Sequence, residues 1–331
     1  GRPLKDLRIS VTDRCNFRCT YCMPAEIFGE SYKFLPKNEI LSFEEIARLA
    51  RIFVEFGVNK LRITSGEPLM QTDLHILTAM LTGMPGLEDL TLTTNAYLLP
   101  QQARQLKDAG LQRVTISLDT LDDEVFKEMN GRGISIDRVL KGIDAAAAVG
   151  LAPIKINAVV QKGVNDHTVV DLARHFKGSG HIVRFIEYMD VGNRNGWKWD
   201  QVVPAAEIVQ QIDAEMPLEP VDSNYPGEVA NRYRYRDGQG EIGVISSVSQ
   251  PFCANCTRSR LSTDGKLYTC LFASTGVSLR DEMRAGASDD DLRNLITRIW
   301  TRRTDRYSEE RTELASLQNV PAKVEMYQIG G

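Results

Sequence analysis

The sequence predicts an α/β protein: a partial (βα)6 barrel followed by a smaller α+β extension. Three observations carry this reading. Short β-rich runs alternate with amphipathic helical stretches from Leu4 to about Tyr188, and alternation at that spacing builds parallel strands with right-handed crossovers. Six such units can be counted, short of the eight that close a full barrel. After Tyr188 the alternation stops and turn-rich text takes over. The expected division is residues 1–215 for the barrel and residues 216–331 for the extension.

Each element has its own signal. The first strand is expected at Leu7–Thr12, followed by the clearest helix, Phe43–Phe56. Ser42 and Glu45 form a capping box for that helix, Leu41 and Ile46 a hydrophobic staple, and Gly57 a stop. Further strands fall at Lys60–Thr64, Asp89–Thr93, Arg113–Ser117, Ile154–Val160 and Ile182–Tyr188. Helices at Asp73–Leu81, Gln102–Ala109, Arg138–Val149 and Val169–Phe176 fill the gaps. Beyond Tyr188, Ala205–Ile212 reads as a short helix and Pro217–Gly227 as a linker. Arg232–Asp237 and Glu241–Ser246 read as a hairpin about Gly238-Gln239-Gly240, and Asp289–Arg303 as a surface helix.

The strands carry a second message. Parallel strands covered on both faces usually read as continuous apolar runs. Here Arg8, Ser10 and Thr12 alternate with Leu7, Ile9 and Val11, and Arg62 and Thr64 with Leu61 and Ile63. Thr91 and Thr93, Thr115 and Ser117, and Lys155 and Asn157 repeat the pattern. Period two puts each polar set on one face of its strand. With the apolar face against helices, the polar face lines the lumen, which is therefore wet, partly cationic and suited to a polar ligand.

Composition narrows the classes. At 331 residues, with 42% hydrophobic and 25% charged residues, the chain has the make-up of a soluble globular protein. A net charge of −4 gives no global attraction to nucleic acid, so an anionic ligand must be met by a local group of cations. No apolar run approaches a membrane span, and no secretory signal pattern opens the sequence. We expect no nucleic-acid or membrane partner.

Six cysteines fall as two trios, Cys15, Cys19 and Cys22, then Cys253, Cys256 and Cys270. Two trios in a long chain point to two metal sites in a reducing compartment rather than a disulfide framework, hence to the cytoplasm. None of the four histidines, His75, His167, His175 and His181, lies in either group. Three thiolates at C-x3-C-x2-C spacing can hold three irons of a four-iron cluster and leave the fourth open for chemistry. Zinc wants a fourth ligand, and a disulfide would strand one cysteine; spacing alone leaves the readings level. The second trio, C-x2-C-x13-C, equally fits a zinc knuckle. Beside it, Arg258 and Arg260 stand at i and i+2, able to meet one anion.

With Tyr21 before the third cysteine, the first trio resembles the signature of radical S-adenosylmethionine (SAM) enzymes. The surrounding text, Leu7 to Cys15, is similar to the GTP 3′,8-cyclases of molybdenum-cofactor biosynthesis. So are Thr64-Ser65-Gly66-Glu67-Pro68, Thr93-Thr94-Asn95, Ser117-Leu118-Asp119, Arg184 to Met189, Cys256-Thr257-Arg258-Ser259-Arg260 and the terminal Gly330-Gly331. The resemblance covers nearly the whole chain. Ser65, Gln71 and Ala96 depart from it, standing where glycine, arginine and glycine are usual.

The resemblance implies a TIM-like partial barrel of the radical SAM type and two [4Fe-4S] clusters. Cys15, Cys19 and Cys22 would hold the SAM cluster; Cys253, Cys256 and Cys270 would hold an auxiliary cluster facing guanine. Tyr21, Gly66, Ser117 and Met189 would bind SAM. Arg8, Arg62, Thr93, Lys155, Arg258, Ser259 and Arg260 would bind GTP, three of them cations already singled out by alternation. The implied reaction abstracts hydrogen from C3′ of GTP, and the sugar carbon then attacks C8 to give 3′,8-cyclo-7,8-dihydro-GTP. The implied partners are an electron donor and the downstream cyclic pyranopterin monophosphate synthase, with a homodimer left open. The tail is expected in the lumen. The rivals are another radical SAM enzyme, of peptide-modifying type, and a non-enzymatic metal-binding sensor. Neither needs so many cations converging on a triphosphate.

Overall fold

The computed structural model describes residues 1–315 and 322–331. Its strands form a single sheet of twelve among the described residues. At the centre, β1 (Asp6–Ser10), β2 (Lys60–Thr64), β3 (Asp89–Thr94), β4 (Arg113–Ser117), β5 (Lys155–Val160) and β6 (Ile182–Glu187) run parallel in chain order. Helices α1 (Phe43–Glu55), α2 (Leu74–Leu81), α3 (Leu99–Asp108), α4 (Asp123–Met129), α5 (Asp137–Ala148) and α6 (Val169–Phe176) connect them. The expected barrel units are therefore present; α4 was not foreseen.

Local signals account for these elements. In α1 the capping box is complete: Ser42 Oγ accepts from the Glu45 N–H at 3.2 Å, and Glu45 Oε2 accepts from the Ser42 N–H at 2.8 Å. The face bearing Ile46, Leu49, Ile52 and Phe53 is fully buried. It packs over the outward side chains of the strands, Leu7, Ile9, Leu61 and Ile63, which are also sealed from solvent. The opposite strand face carries the alternating polar residues into the interior.

The second half of the chain corrects two expectations. The stretch Pro217–Gly227 is no simple linker, because β7 (Leu218–Val221) lies within it after α7 (Ala205–Glu215). The hairpin exists, β8 (Asn231–Tyr235) with β9 (Glu241–Ile245), but β9 joins the central sheet parallel to β6. At the other edge β10 (Arg258–Leu261) adds parallel to β1, followed by antiparallel β11 (Lys266–Tyr268) and β12 (Val277–Ser278). Eight parallel strands thus replace six, and the sheet remains open, ending in β12 and β7.

Four helices follow among the described residues: α8 (Leu279–Arg284), α9 (Asp289–Thr301), α10 (Tyr307–Ala315) and α11 (Met326–Ile329). Asp289 of α9 binds Arg48 and Arg51 of α1. No helix among the described residues is long and apolar enough to cross a membrane.

Candidate active site

One cavity occupies the polar side of the sheet, and all six cysteines line it. The loop after β1 carries the first trio. Arg18 shapes that loop by donating to the carbonyls of Phe28 (2.6 Å), Cys15 (2.7 Å) and Phe17 (2.7 Å). Burial, with Glu67 nearby, pushes the Cys15 thiol up to about 12; burial also raises Cys19 and Cys22. Thiols so placed ionise only with a cation beside them, and a bound metal deprotonates them outright.

The second trio sits differently. Burial opposes ionisation of Cys256, but Arg258 and Arg303 outweigh it and bring the thiol down to about 6. Arg303 donates from Nη1 to the Cys256 carbonyl at 2.9 Å and from Nη2 to its Sγ at 3.4 Å. Arg2 holds the Cys253 carbonyl at 2.8 Å. All six thiols are free. Among the described residues no three His, Cys, Asp or Glu side chains converge on one point, as a single ion would need. Three thiolates in each trio, all free, are a donor set that an iron–sulfur cluster with one open iron can use.

Between the trios lies the cationic lining. Strand register places Arg260, Arg8 and Arg62 side by side on β10, β1 and β2, with Thr91 next on β3. One layer along, Thr93, Thr115 and Lys155 are in register. Arg62 Nη1 donates to Thr93 Oγ1 and Thr115 Oγ1, each at 3.1 Å. The Nε atoms of Arg8, Arg62 and Arg258 are buried without a hydrogen-bond partner. A buried guanidinium with an open Nε, as in Arg8 facing Arg260, Arg258 and Arg62, is costly unless an anion joins it.

Most expected site residues line this cavity: Arg8, Tyr21, Arg62, Gly66, Thr93, Ser117, Met189, Arg258 and Arg260, together with both trios. Two do not. Ser259 pairs in register with Leu7, on the apolar face, and its hydroxyl approaches the Asp6 carbonyl at 3.4 Å. Its side chain cannot reach a ligand held by Arg258 and Arg260, because neighbours along a strand point oppositely. Lys155 lies outside the lining, set among Arg184, Arg113 and Lys60.

Several lining residues went unread in the sequence. Arg184 enters the cavity from β6 and is held by Asn157 Oδ1 at 2.9 Å. The same period-two alternation would have found it. Tyr21 donates to Asp119 at 2.9 Å, and Asp119 also accepts from the Val159 N–H at 2.9 Å. Glu67, whose carboxyl is raised to about 7 by burial, accepts from Thr94 (2.7 Å), the Asn95 N–H (2.7 Å) and the Leu69 N–H (3.0 Å). It ties the turn after β2 to the end of β3. At Gly66 a Cβ would lie 2.1 Å from the Arg14 carbonyl oxygen, so only glycine lets the turn reach the cysteine loop.

The tail reaches the cavity as expected. Arg260 Nη1 donates to the carbonyls of Ile329, at 3.2 Å, and Gly330, and Gly331 lines the wall.

Comparisons with known proteins identify the family. Residues 9–176 match the Radical SAM superfamily, and residues 181–309 match Molybdenum Cofactor Synthesis C. A GTP 3′,8-cyclase from Acidothermus cellulolyticus is 58% identical over 315 residues, covering 94% of this chain and 87% of that one. The chain belongs to the GTP 3′,8-cyclase family. A second such cyclase, from Staphylococcus carnosus, is 50% identical across 100% of this chain and 97% of its own. Among solved structures, a tagged form of anSMEcpe with bound AdoMet superposes with a TM-score of 0.51 at 17% identity. It covers 64% of this chain and 58% of that one, a likeness in fold. In GTP 3′,8-cyclase terms, the first trio and the Gly66 turn lie in the radical SAM half, and Arg258 and Arg260 lie in the second.

Proposed function

We propose that this cavity holds SAM at the first trio and GTP at the second, and converts GTP to 3′,8-cyclo-7,8-dihydro-GTP, the first step of molybdopterin biosynthesis. The observation that carries the reading is the placement of both cysteine trios and the row Arg260, Arg8, Arg62 on one cavity. Cys15, Cys19 and Cys22 would hold one [4Fe-4S] cluster; Cys253, Cys256 and Cys270 would hold another. SAM with a reduced iron–sulfur cluster supplies the means of taking hydrogen from an unactivated carbon.

The chain's own residues bind, orient and exclude water. Tyr21, Gly66, Ser117 and Met189 would border SAM. Arg8, Arg62, Arg184 and Arg258 would meet the triphosphate, with Thr93 locking Arg62 and with Lys155 and Lys60 adding charge from behind. Each charge-assisted bond is worth about 1.5–3 kcal/mol, and more charge is felt where water is excluded. An electron donor, delivery of product to the cyclic pyranopterin monophosphate synthase, a cytoplasmic setting and a homodimer complete the proposal.

The test is anaerobic incubation of the reconstituted protein with SAM, reductant and GTP, followed by chromatography and mass spectrometry. We expect 5′-deoxyadenosine and a cyclised nucleotide. Cys15→Ala should yield neither, whereas Cys256→Ala should retain some SAM cleavage without cyclisation. Four irons per chain in the intact protein, rather than about eight, would rule out the second cluster.

A further inference from the structure

Ser65 holds a backbone conformation, φ +86°, that glycine adopts freely and serine does not. It is buried in the turn after β2, so solvation does not explain a polar side chain there. Its hydroxyl has a use. Ser65 Oγ donates to the Tyr327 carbonyl, and the neighbouring Gly66 N–H donates to the same oxygen at 3.2 Å. A glycine at position 65 would keep the second bond and lose the first.

Tyr327 is fixed on its other side as well. Its hydroxyl shares a 2.6 Å hydrogen bond with that of Tyr32, and its ring meets Phe28 edge-on at 5.1 Å. Three residues later the chain threads past Thr64: a Cβ at Gly330 would lie 2.3 Å from Thr64 Cγ2. Gly331 then ends in the cavity. The carbonyl that receives the serine hydroxyl is thus a fixed point just upstream of the threaded glycines.

We propose that Ser65 is a positioning residue whose hydroxyl latches the C-terminal tail to the turn after β2 and so sets where Gly330-Gly331 end. The latch acts through Tyr327, without touching substrate. It rests on the cyclase reading only for its effect on turnover; the tail's anchorage can be measured without substrate.

Hydrogen exchange on the full reconstituted chain, read by mass spectrometry, tests this in Ser65→Ala and Ser65→Gly. Alanine removes the hydroxyl and keeps the unfavourable backbone; glycine removes both. We expect peptides covering residues 322–331 to exchange about fivefold faster in both variants, the factor for a net hydrogen bond of about 1 kcal/mol. Peptides from α1 should not change. GTP turnover should fall by a similar factor while SAM cleavage persists. Unchanged tail exchange in Ser65→Ala overturns the latch, as does acceleration spread evenly over the whole chain. If Ser65→Ala does not fold, Ser65→Gly decides alone: faster tail exchange supports the latch, and unchanged or slower exchange refutes it.

Discussion

Lys155 stands on β5 where burial, together with Arg184, Arg113 and Lys60, brings its ammonium down to about 7. Above that pH it is mostly neutral in the ligand-free protein. A triphosphate bound in the neighbouring cavity would favour the charged form and raise its pKa, so binding at pH 8 should take up a proton. GTP affinity should accordingly fall as pH rises through about 7, and Lys155→Arg, always charged, should remove the proton uptake. Calorimetry in buffers of different ionisation enthalpy measures it. Arg258 poses a simpler case. Its Nε has no partner, and Arg258→Ala should weaken GTP binding by about 1.5–3 kcal/mol while SAM affinity hardly moves. Equal loss of both ligands would indicate misfolding.

At the scale of elements, a buried carboxylate ties α10 to the sheet. Asp190, just beyond β6, accepts from Arg311 Nε at 2.8 Å, from Lys323 Nζ at 2.8 Å and from the Tyr307 hydroxyl. Arg311 is sealed from solvent and also donates to the Ser247 carbonyl at 3.1 Å. Removing one member of such a group strands the others, at about 3–5 kcal/mol. Asp190→Ala should therefore strip exchange protection from residues 307–315 while leaving α1 protected, as hydrogen exchange would show. The tail makes a separate prediction. Deleting Gly330 and Gly331 should cut cyclisation yet leave folding and iron content intact; a fully active truncation would refute a role for it.

Across the whole molecule, what was legible followed short-range rules. Strand–helix alternation located all six central strands, because each unit buries its own apolar face, and the Ser42–Glu45 box marked the start of α1 to the residue. The cationic lumen was legible for the same reason: period two fixes which side chains share a face. What escaped was pairing between distant segments. Nothing around Arg258 announces that β10 will lie beside β1, some 250 residues earlier, and a short strand without its partner looks like a loop. The same gap hid Ser259, whose outward aim follows only once β10 is known to be a strand.

That pairing of β10 with β1 has a consequence for biosynthesis. Until residues 258–261 leave the ribosome, one edge of β1 has no partner. At 5–20 residues per second the wait is roughly 10–50 s, during which an open strand edge invites association with other chains. Asp6 and Arg8 put opposite charges along that edge, and charge on an edge strand discourages such contact. An arginine that would later face nucleotide phosphate thus first stands on an open strand edge.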